Sequence, residues 1–358
     1  MQPEPHPTDP MRAAGPGAPD ATLMAQETAE APDVVRRGLV ANRKTLVDLG
    51  ARLRANPPRA VVTCGRGSSD HAATYAKYLI ETRTGVLTSS AAPSISSVYD
   101  TRPDMGEVLC LALSQSGRSP DLLASVEAAK TGGALVVALV NVEDSPLAAL
   151  ADVVAPLHAG AEKSVAATKS FLASLAAIAQ LTAAWSEDAE LAAGLDAAPD
   201  AMARALDMDW SAAVERLTPA RNLYVVGRGL GFGAAQEAAL KFKETCGLHA
   251  EAFSSAEVRH GPMALVGPDF PVMAFTQDDA TRSGVEALVD DLAADGAPVL
   301  LAGRPHATAI PLPVVESAAA LQPLMSIQSF YRMTERLSRA RGLDPDRPPH
   351  LNKVTKTV

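Results

Sequence analysis

The chain repeats a set of landmarks at an almost constant spacing, and this repeat limits the folds that it can adopt. The turn Gly65-Arg66-Gly67 follows a short apolar run, and the same three residues return as Gly227-Arg228-Gly229. The pair Ser114-Gln115 returns as Thr276-Gln277, at the same spacing as the glycine turns. A Gly-Ala pair further along also returns, at nearly that spacing. Three matches at nearly one spacing indicate an internal duplication, with two similar domains in tandem.

Each copy combines apolar runs of strand length with helical patterns. In the first copy, the run Ala60–Cys64 predicts a buried strand, and a helix is expected from His71 to Glu81 after the glycine turn. Further unbroken apolar runs lie at 108–113 and 134–140. Such strands, alternating with helices, are typical of a parallel sheet that is covered on both faces. The predicted fold class is therefore α/β, with a three-layer αβα sandwich and a mainly parallel sheet in each copy.

Composition and charge exclude several classes of protein. The net charge of −9 and the 4% aromatic content argue against a nucleic-acid surface, which needs basic patches and stacking rings. Three widely separated cysteines without a C-x-x-C pair fit reduced thiols better than disulfides or a zinc site. No apolar run approaches the roughly 20 residues that a membrane-spanning helix needs. We therefore expect a cytoplasmic protein without membrane or nucleic-acid partners.

Composition also suggests the division of the chain. Residues 1–32 are rich in proline and small polar residues, and they are predicted to form a flexible leader. The duplication places the first domain at 33–200 and the second at 201–343, with a C-terminal tail at 344–358.

A polar loop follows the apolar run at 108–113. Its hydroxyl and amide groups belong to Ser114, Gln115, Ser116 and Ser119, and Gly117 allows the backbone to bend closely around a ligand. A proline suited to the first helical position follows, so the loop leads into the positive end of a helix. This arrangement favours a phosphate or another anion. The alternative interpretation is an ordinary capped turn.

The richest cluster of charged residues lies on the helix predicted after the second glycine turn. Glu237, Lys241 and Glu244 are spaced at i, i+4 and i+7, and therefore share one face. A carboxylate beside an ammonium group can accept a proton from carbon and return it, although a solvated salt-bridged face would show the same spacing. His260, followed by Gly-Pro in a turn, could reach a ligand, but a single histidine is more often structural.

Four motifs together resemble one known family. They are G-R-G-S at 65–68, S-Q-S-G-R-S at 114–119, E-x-x-V-A-x-T-K at 162–169, and the long run from Glu237 to Leu265. The sequence from about residue 35 onward resembles tandem sugar isomerase (SIS) domains. It is similar to the isomerase half of glucosamine-6-phosphate synthase and to SIS-type glucosamine-6-phosphate deaminases. The resemblance implies two flavodoxin-like domains.

The resemblance also implies how a sugar phosphate would be bound. The phosphate would be held by the polar loop, through Ser114, Gln115, Ser116 and Ser119. The residues expected to line the sugar come from the first glycine turn and from the third motif: Cys64, Gly65, Ser68, Val165 and Thr168.

The catalytic groups implied by the resemblance lie in the second copy and the tail. Glu244 would move a proton between C1 and C2 of the sugar, and Glu237 and Lys241 would lie in the site on the same helix. His260 would help to open the sugar ring and would reach in from a neighbouring subunit, which implies a homodimer. Lys353 would enter the site from the C-terminal tail.

These observations predict an enzyme. The segment before the first glycine turn is too short for a glutamine-hydrolysing module, so the expected direction is breakdown. The predicted reaction converts glucosamine 6-phosphate to fructose 6-phosphate and ammonia, by proton transfer between C1 and C2 and hydrolysis of an imine. No cofactor is expected, because the glycine turn lacks the full dinucleotide fingerprint, and no metal is expected because His249 and His260 lack companion ligands.

Three alternatives remain open at this stage. The site could catalyse a plain aldose–ketose isomerisation of another phosphosugar, or deaminate galactosamine 6-phosphate. The chain could also be a sugar-phosphate sensor without catalytic activity that regulates a partner. A sensor needs the phosphate loop but not the glutamates, lysines and histidine of the second half, so the sequence favours an enzyme.

Overall fold

The computed structural model describes residues 21–351 and residue 353. This part contains ten strands: β1 Ala60–Cys64, β2 Thr88–Ser90, β3 Val108–Ser114, β4 Leu135–Val140, β5 Val153–Pro156, β6 Asn222–Gly227, β7 His249–Ser254, β8 Val272–Phe275, β9 Val299–Ala302 and β10 Ile310–Leu312. It also contains twelve α-helices: α1 Leu23–Ala55, α2 Ser68–Thr84, α3 Ser94–Ser97, α4 Pro120–Thr131, α5 Pro146–Leu150, α6 Lys169–Ser186, α7 Ala189–Ala205, α8 Ser211–Leu217, α9 Leu230–Cys246, α10 Ser255–Val258, α11 Arg282–Ala294 and α12 Gln322–Ala340.

The strands form two five-stranded sheets of the same design. Their orders are β2-β1-β3-β4-β5 and β10-β9-β8-β6-β7. When the strands are numbered within each copy, both orders read 2-1-3-4-5, which is the flavodoxin-like order. Every pairing within these sheets is parallel. The predicted α/β class and the flavodoxin-like parallel sheets are confirmed.

The two glycine turns are alike in backbone geometry. Gly67 has φ 55° and ψ −129°, and Gly229 has φ 58° and ψ −129°. Positive φ with such a ψ is accessible almost only to glycine. A Cβ on Gly227 would lie 2.5 Å from the carbonyl oxygen of Gly231, so the start of α9 also requires glycine at the end of β6. The glycines of the duplicated motif are therefore explained by the tight strand-to-helix turn.

The strands of each sheet alternate between a smaller core of their own and a large core that is common to both sheets. In β3, Leu109, Leu111 and Leu113 face a large core, while Cys110 and Ala112 face a smaller core beneath α4. The large core also contains residues of the second sheet and of helices from both copies. Helix α2 packs on α9 within it, and α1 packs on α6. The two copies thus share one core, and α9 of the second copy lies beside α2 of the first.

The predicted leader proved too long, because α1 begins at Leu23 and includes residues 23–32. Pro32 lies inside this helix and cannot donate a backbone hydrogen bond to the carbonyl of Thr28. The side-chain amide of Gln328 on α12 donates to that carbonyl instead, at 2.8 Å. A distant side chain therefore replaces the bond that proline removes. Residues 1–20 of the predicted leader lie outside the described residues.

The chain after α12 returns to the beginning of α1. The carboxylate of Asp346 accepts hydrogen bonds from the backbone N–H groups of Leu23, at 2.6 Å, and Met24, at 2.9 Å. These are two of the unpaired donors at the helix N-terminus, where a negative charge is favourable. The predicted tail is thus anchored seven residues before Lys353, and its residues 352 and 354–358 lie outside the described part. No helix in the described ranges is long and apolar enough to cross a bilayer.

Candidate active site

A cavity of about 330 Å³ opens at the carboxyl ends of β1 and β3. Successive strands are added to the sheet on one side of β1 for β2 and on the other side for β3. Open parallel sheets bind their ligands at such a switch point, between the carboxyl ends of the two strands, and the cavity lies there. Its wall is formed by the first glycine turn, the polar loop, the segment before α6 and the tail. The lining residues are Arg66, Gly67, Ser68, Ser69, Leu113, Ser114, Gln115, Ser116, Ser119, Leu122, Leu157, Ala167, Ser170, Phe171, Ser174 and Lys353.

The polar loop lies on the cavity wall as a group. All four residues expected to hold a phosphate, Ser114, Gln115, Ser116 and Ser119, are lining residues. The backbone N–H of Gly117 donates to Ser114 Oγ at 2.9 Å, and Gly117 has φ 63°, so this turn requires glycine. Helix α4 begins directly after Ser119 with a proline. The loop thus presents hydroxyls and the positive end of a helix to the cavity, which suits an anion.

A buried cluster of charged groups joins the two copies behind the glycine turn. The Glu237 carboxylate on α9 has no exposed surface and lies 3.1 Å from Lys241 Nζ. It accepts hydrogen bonds from Ser68 Oγ, at 3.1 Å, and Tyr331 Oη, at 2.9 Å, and lies 3.0 Å from His71 Nδ1. Burial alone would raise the pKa of Glu237, but Lys241, His71 and the hydrogen bond from Tyr331 lower that pKa to about 2. Glu237 is therefore ionised.

Lys241 connects this buried carboxylate to a second one. Its Nζ lies 2.7 Å from Glu244 Oε2 and donates to Ser68 Oγ at 3.0 Å. Burial alone would lower the pKa of Lys241, but the carboxylates of Glu237 and Glu244 raise it, so the ammonium form is favoured. The side chain of Glu244 is 19% exposed, whereas that of Glu237 is fully buried. Glu244 is thus the more exposed of the two carboxylates that contact Lys241.

Ser68 links the charged cluster to the cavity. It is a lining residue, and its hydroxyl bonds both Glu237 and Lys241. Glu237, Lys241 and Glu244 are not themselves lining residues. The structure therefore places Glu237 and Lys241 of the predicted catalytic helix directly behind Ser68 in the cavity wall, and Glu244 beside Lys241.

The tail contributes the predicted lysine to the cavity. Lys353 is a lining residue, and its Nζ donates to the Ser164 carbonyl at 2.7 Å and lies 3.4 Å from Glu162 Oε2. The buried Glu162 carboxylate also accepts the backbone N–H groups of Thr168, at 3.0 Å, and Ser170, at 3.1 Å. Glu162 therefore holds both the segment before α6 and the tail lysine in place.

Two of the residues expected to contact a sugar come directly before the residues that line the cavity. Cys64 and Gly65 are not lining residues, whereas the next residues, Arg66 and Gly67, are. Cys64 ends β1 with its side chain in the core beneath α4, and burial raises the pKa of its thiol to about 12. Cys64 is the last residue of β1 and Gly65 directly follows it, so both lie next to the lining residues of the glycine turn, and their contact with a sugar remains a prediction.

In the third motif, too, the residues expected to contact a sugar lie next to the lining residues in the sequence. Val165 and Thr168 are not lining residues, while Ala167 and Ser170 are. Thr168 is fully buried, and its backbone N–H is committed to Glu162. Ser68, by contrast, lies where it was expected.

His260 lies away from the cavity of its own chain. It follows α10 on an exposed loop, where its backbone N–H donates to the Glu257 carbonyl at 2.9 Å. Its expected role in a neighbouring subunit remains a prediction. Among the described residues, no group of three or more His, Cys, Asp or Glu side chains could hold a metal ion.

Sequence reasoning missed four polar residues of this region. His71 lies three positions after Ser68 on α2, so helical spacing alone could have placed it on the same face. Glu162 belongs to the third motif and Arg66 to the first glycine turn, but the sequence assigned no role to either residue. Tyr331 comes from α12, and no local pattern connects it with Glu237.

The chain matches the SIS domain family over residues 56–184 and 216–307, one match in each copy. It belongs to the SIS domain family. A glutamine–fructose-6-phosphate aminotransferase (isomerizing) from Aeropyrum pernix is 36% identical over 310 residues, which cover 81% of this chain and 50% of that protein. The chain thus spans about half the length of the curated relatives it matches.

Two solved structures extend the comparison. A protein from Silicibacter pomeroyi DSS-3, described as a candidate phosphosugar isomerase, is 43% identical, with a TM-score of 0.88 over 91% of this chain and 100% of that chain. Glucosamine-6-phosphate deaminase from Thermotoga maritima has a TM-score of 0.74 over 94% of this chain and 100% of that chain. At 19% identity, this second likeness shows the fold alone.

Proposed function

We propose that this chain is a phosphosugar isomerase–deaminase that converts glucosamine 6-phosphate and water to fructose 6-phosphate and ammonia. One observation carries the proposal. A cavity with an anion-binding loop lies against a buried Glu–Lys–Glu cluster in which only Glu244 is partly exposed. The names of the relatives at 36% and 43% identity refer to isomerisation of sugar phosphates, which supports this class of reaction.

The first copy would bind the substrate. The hydroxyls of Ser114, Ser116 and Ser119 and the start of α4 would hold the phosphate. Fixing the phosphate end also places C1 and C2 of the open-chain sugar at a constant distance from the opposite wall, which lowers the entropic part of the barrier to proton transfer. Binding energy from this non-reacting end therefore serves the reaction.

The second copy would supply the proton transfer. In the open-chain aldehyde, Glu244 takes the proton from C2 and returns it to C1. The C2 amine then becomes an imine, water adds to C2, and ammonia leaves as the ketone forms. Lys241 and Lys353 would balance the negative charge that develops on the sugar oxygens. C2 is oxidised by the two electrons that reduce C1, so the reaction needs no external oxidant or reductant. Water is the only other molecule that it consumes.

Ammonia release from glucosamine 6-phosphate tests this function. We expect the wild-type chain to release ammonia and fructose 6-phosphate in equal amounts. Glu244→Gln should lower kcat by about 10²- to 10⁴-fold with little change in KM, because a general base contributes a factor of this size. Glu251→Gln, at an exposed position on β7, is the matched control and should keep wild-type activity.

Three outcomes would contradict the proposal in different ways. Binding of the sugar phosphate without any turnover would favour a regulatory sensor. Turnover of galactosamine 6-phosphate, or of a plain aldose phosphate, in preference to glucosamine 6-phosphate would change the substrate. Full activity of Glu244→Gln would remove Glu244 from the proton transfer.

We also propose a homodimer in which His260 completes the cavity of the partner and assists ring opening. The exposed position of His260, away from the cavity of its own chain, supports this arrangement. His260→Ala and Glu244→Gln chains should each be nearly inactive, and random mixing should restore about one quarter of wild-type activity, because half of the dimers regain one complete site. No recovery after subunit exchange, verified by native mass spectrometry, would contradict a shared site.

A further inference from the structure

Arg66 lies on the cavity wall and is held there by a buried carboxylate. Its Nε and Nη2 atoms lie 2.8 Å and 2.6 Å from Asp121 Oδ2. The Asp121 side chain has no exposed surface, whereas that of Arg66 is 52% exposed. One edge of the guanidinium group is therefore fixed against α4, while the rest of the group remains accessible at the cavity.

We propose that Arg66 is a ligand for the phosphate of the substrate and that Asp121 is the residue that positions it. This inference rests on the proposed function only for the nature of the ligand, a sugar phosphate. A guanidinium group has five N–H donors, and the contact with Asp121 uses two of them. The remaining donors have no acceptor among the described residues, and the lining position of Arg66 places them beside the polar loop.

The charges around the loop explain why an arginine is needed here. Asp121 lies in the first turn of α4, where an unbalanced carboxylate would repel a phosphate bound at the same helix end. Arg66 balances this charge. The other cation on the cavity wall, Lys353, is already paired with Glu162 and with a backbone carbonyl. Among the lining residues, Arg66 is thus the cation with donors to spare and a fork geometry that suits phosphate.

Arg118, which lies on the polar loop, provides a matched control for Arg66. Its side chain is also 52% exposed, but it faces Asp144 at 3.9 Å and does not line the cavity. Removing either arginine changes the net charge equally. Only the removal of Arg66 would delete a direct contact with a bound phosphate.

Calorimetric titration with fructose 6-phosphate, and separately with inorganic phosphate, tests the inference. We expect Arg66→Ala to raise Kd for both ligands by about 10- to 100-fold, as for the loss of a hydrogen bond to a charged group. Arg118→Ala should raise Kd less than about threefold, because the charge that it removes is screened by salt. Equal Kd values for Arg66→Ala and Arg118→Ala would overturn the inference.

A second variant guards against loss of folding. Arg66→Ala removes a partner of the buried Asp121, whereas Arg66→Lys keeps a cation there and loses only the fork. We expect Arg66→Lys to melt near the wild-type temperature and to raise Kd about 3- to 10-fold. An unchanged Kd for a folded Arg66→Lys would also overturn the inference.

The titrations separate this inference from the proposed function, because they require no turnover. If the wild-type chain binds fructose 6-phosphate but releases no ammonia, the proposed reaction fails, and the role of Arg66 is still decided by the Kd values. If the wild-type chain releases ammonia and Arg66→Lys binds as tightly as wild type, the reaction stands and the role of Arg66 fails.

Discussion

The loops at 114–119 and 276–281 follow equivalent strands of the two copies, yet only the first opens to the large cavity. At the position equivalent to Ser116, the second loop carries Asp278. The Asp278 carboxylate accepts hydrogen bonds from Arg282, at 2.7 Å, Arg304, at 2.7 Å, and Gln322, at 3.0 Å. The hydrogen bond from Arg304 is the main cause that lowers the pKa of Asp278 to about 2.

The second loop therefore contains an anion of its own, where the first loop presents hydroxyls. The amide of Gln277 in this loop is also bound within the protein, because its Nε2 donates to the Arg228 carbonyl at 2.8 Å and to Thr281 Oγ1 at 2.7 Å. Duplication thus preserved the scaffold, while the sites diverged. The first copy keeps an open loop, and the second contributes α9 and its charged cluster, which agrees with the view that function belongs to the site and not to the fold.

The largest expected effect concerns the contact between the copies. Glu237→Gln should lower the free energy of unfolding by about 3–5 kcal/mol, because Lys241 would lose a buried partner. Denaturation with urea measures this change. Lys243→Gln on the exposed side of the same helix is the control, with an expected change within about 0.5 kcal/mol. Similar changes for both variants would show that the cluster does not hold the copies together.

The same cluster predicts a pH dependence. The pKa of Glu237 lies at about 2 in the folded chain, below its ordinary value of 4.5. Its contribution to stability is therefore present above about pH 4.5 and is lost as the pH falls toward 2. Glu237→Gln should lack this part of the acid-induced loss. An unchanged pH profile for the variant would contradict the assignment.

The next effect comes from copying the second loop into the first. Ser116→Asp should raise Kd for fructose 6-phosphate by about 100-fold or more, because a fixed carboxylate would repel the phosphate. The neutral Ser116→Asn, of the same shape as Ser116→Asp, should raise Kd much less, by about 3- to 10-fold for a lost hydrogen bond. Equal losses in the two variants would mean that shape, and not charge, distinguishes the loops.

The smallest effect is expected from the reverse exchange. Asp278→Ser removes the carboxylate that Arg282 and Arg304 share and should lower the free energy of unfolding by about 1 kcal/mol. Inorganic phosphate should then raise the melting temperature of this variant more than that of the wild type, because an external anion replaces the lost one. Asp295→Ser, at an exposed position after α11, is the control. Without that extra shift in melting temperature, Arg282 and Arg304 would not form an anion site that Asp278 fills in the wild type.

Features set by local sequence could be predicted from it. Strand β1 and the two glycine turns follow from short apolar runs and from backbone conformations that require glycine. The position of the polar loop between a strand and a helix also follows from the sequence, because a strand end, a glycine and a helix start are encoded within a few residues.

Features that depend on distant packing could not be predicted. The start of α1 depends on Gln328, which compensates for Pro32 from the other end of the chain. The orientation of Cys64 depends on how β1 lies between its neighbours, which periodicity does not show. Tyr331 reaches Glu237 only because α12 packs on α9.

The anchor at Asp346 has a consequence for Lys353. Because Asp346 is bound to the start of α1, the approach of Lys353 to the cavity is an intramolecular event, and short connections of this kind correspond to effective concentrations of about millimolar. Much of the entropy loss needed to bring this cation to the cavity is therefore already incurred when the chain folds. A ligand that enters the cavity would therefore meet an ammonium group that the Ser164 carbonyl already holds in place.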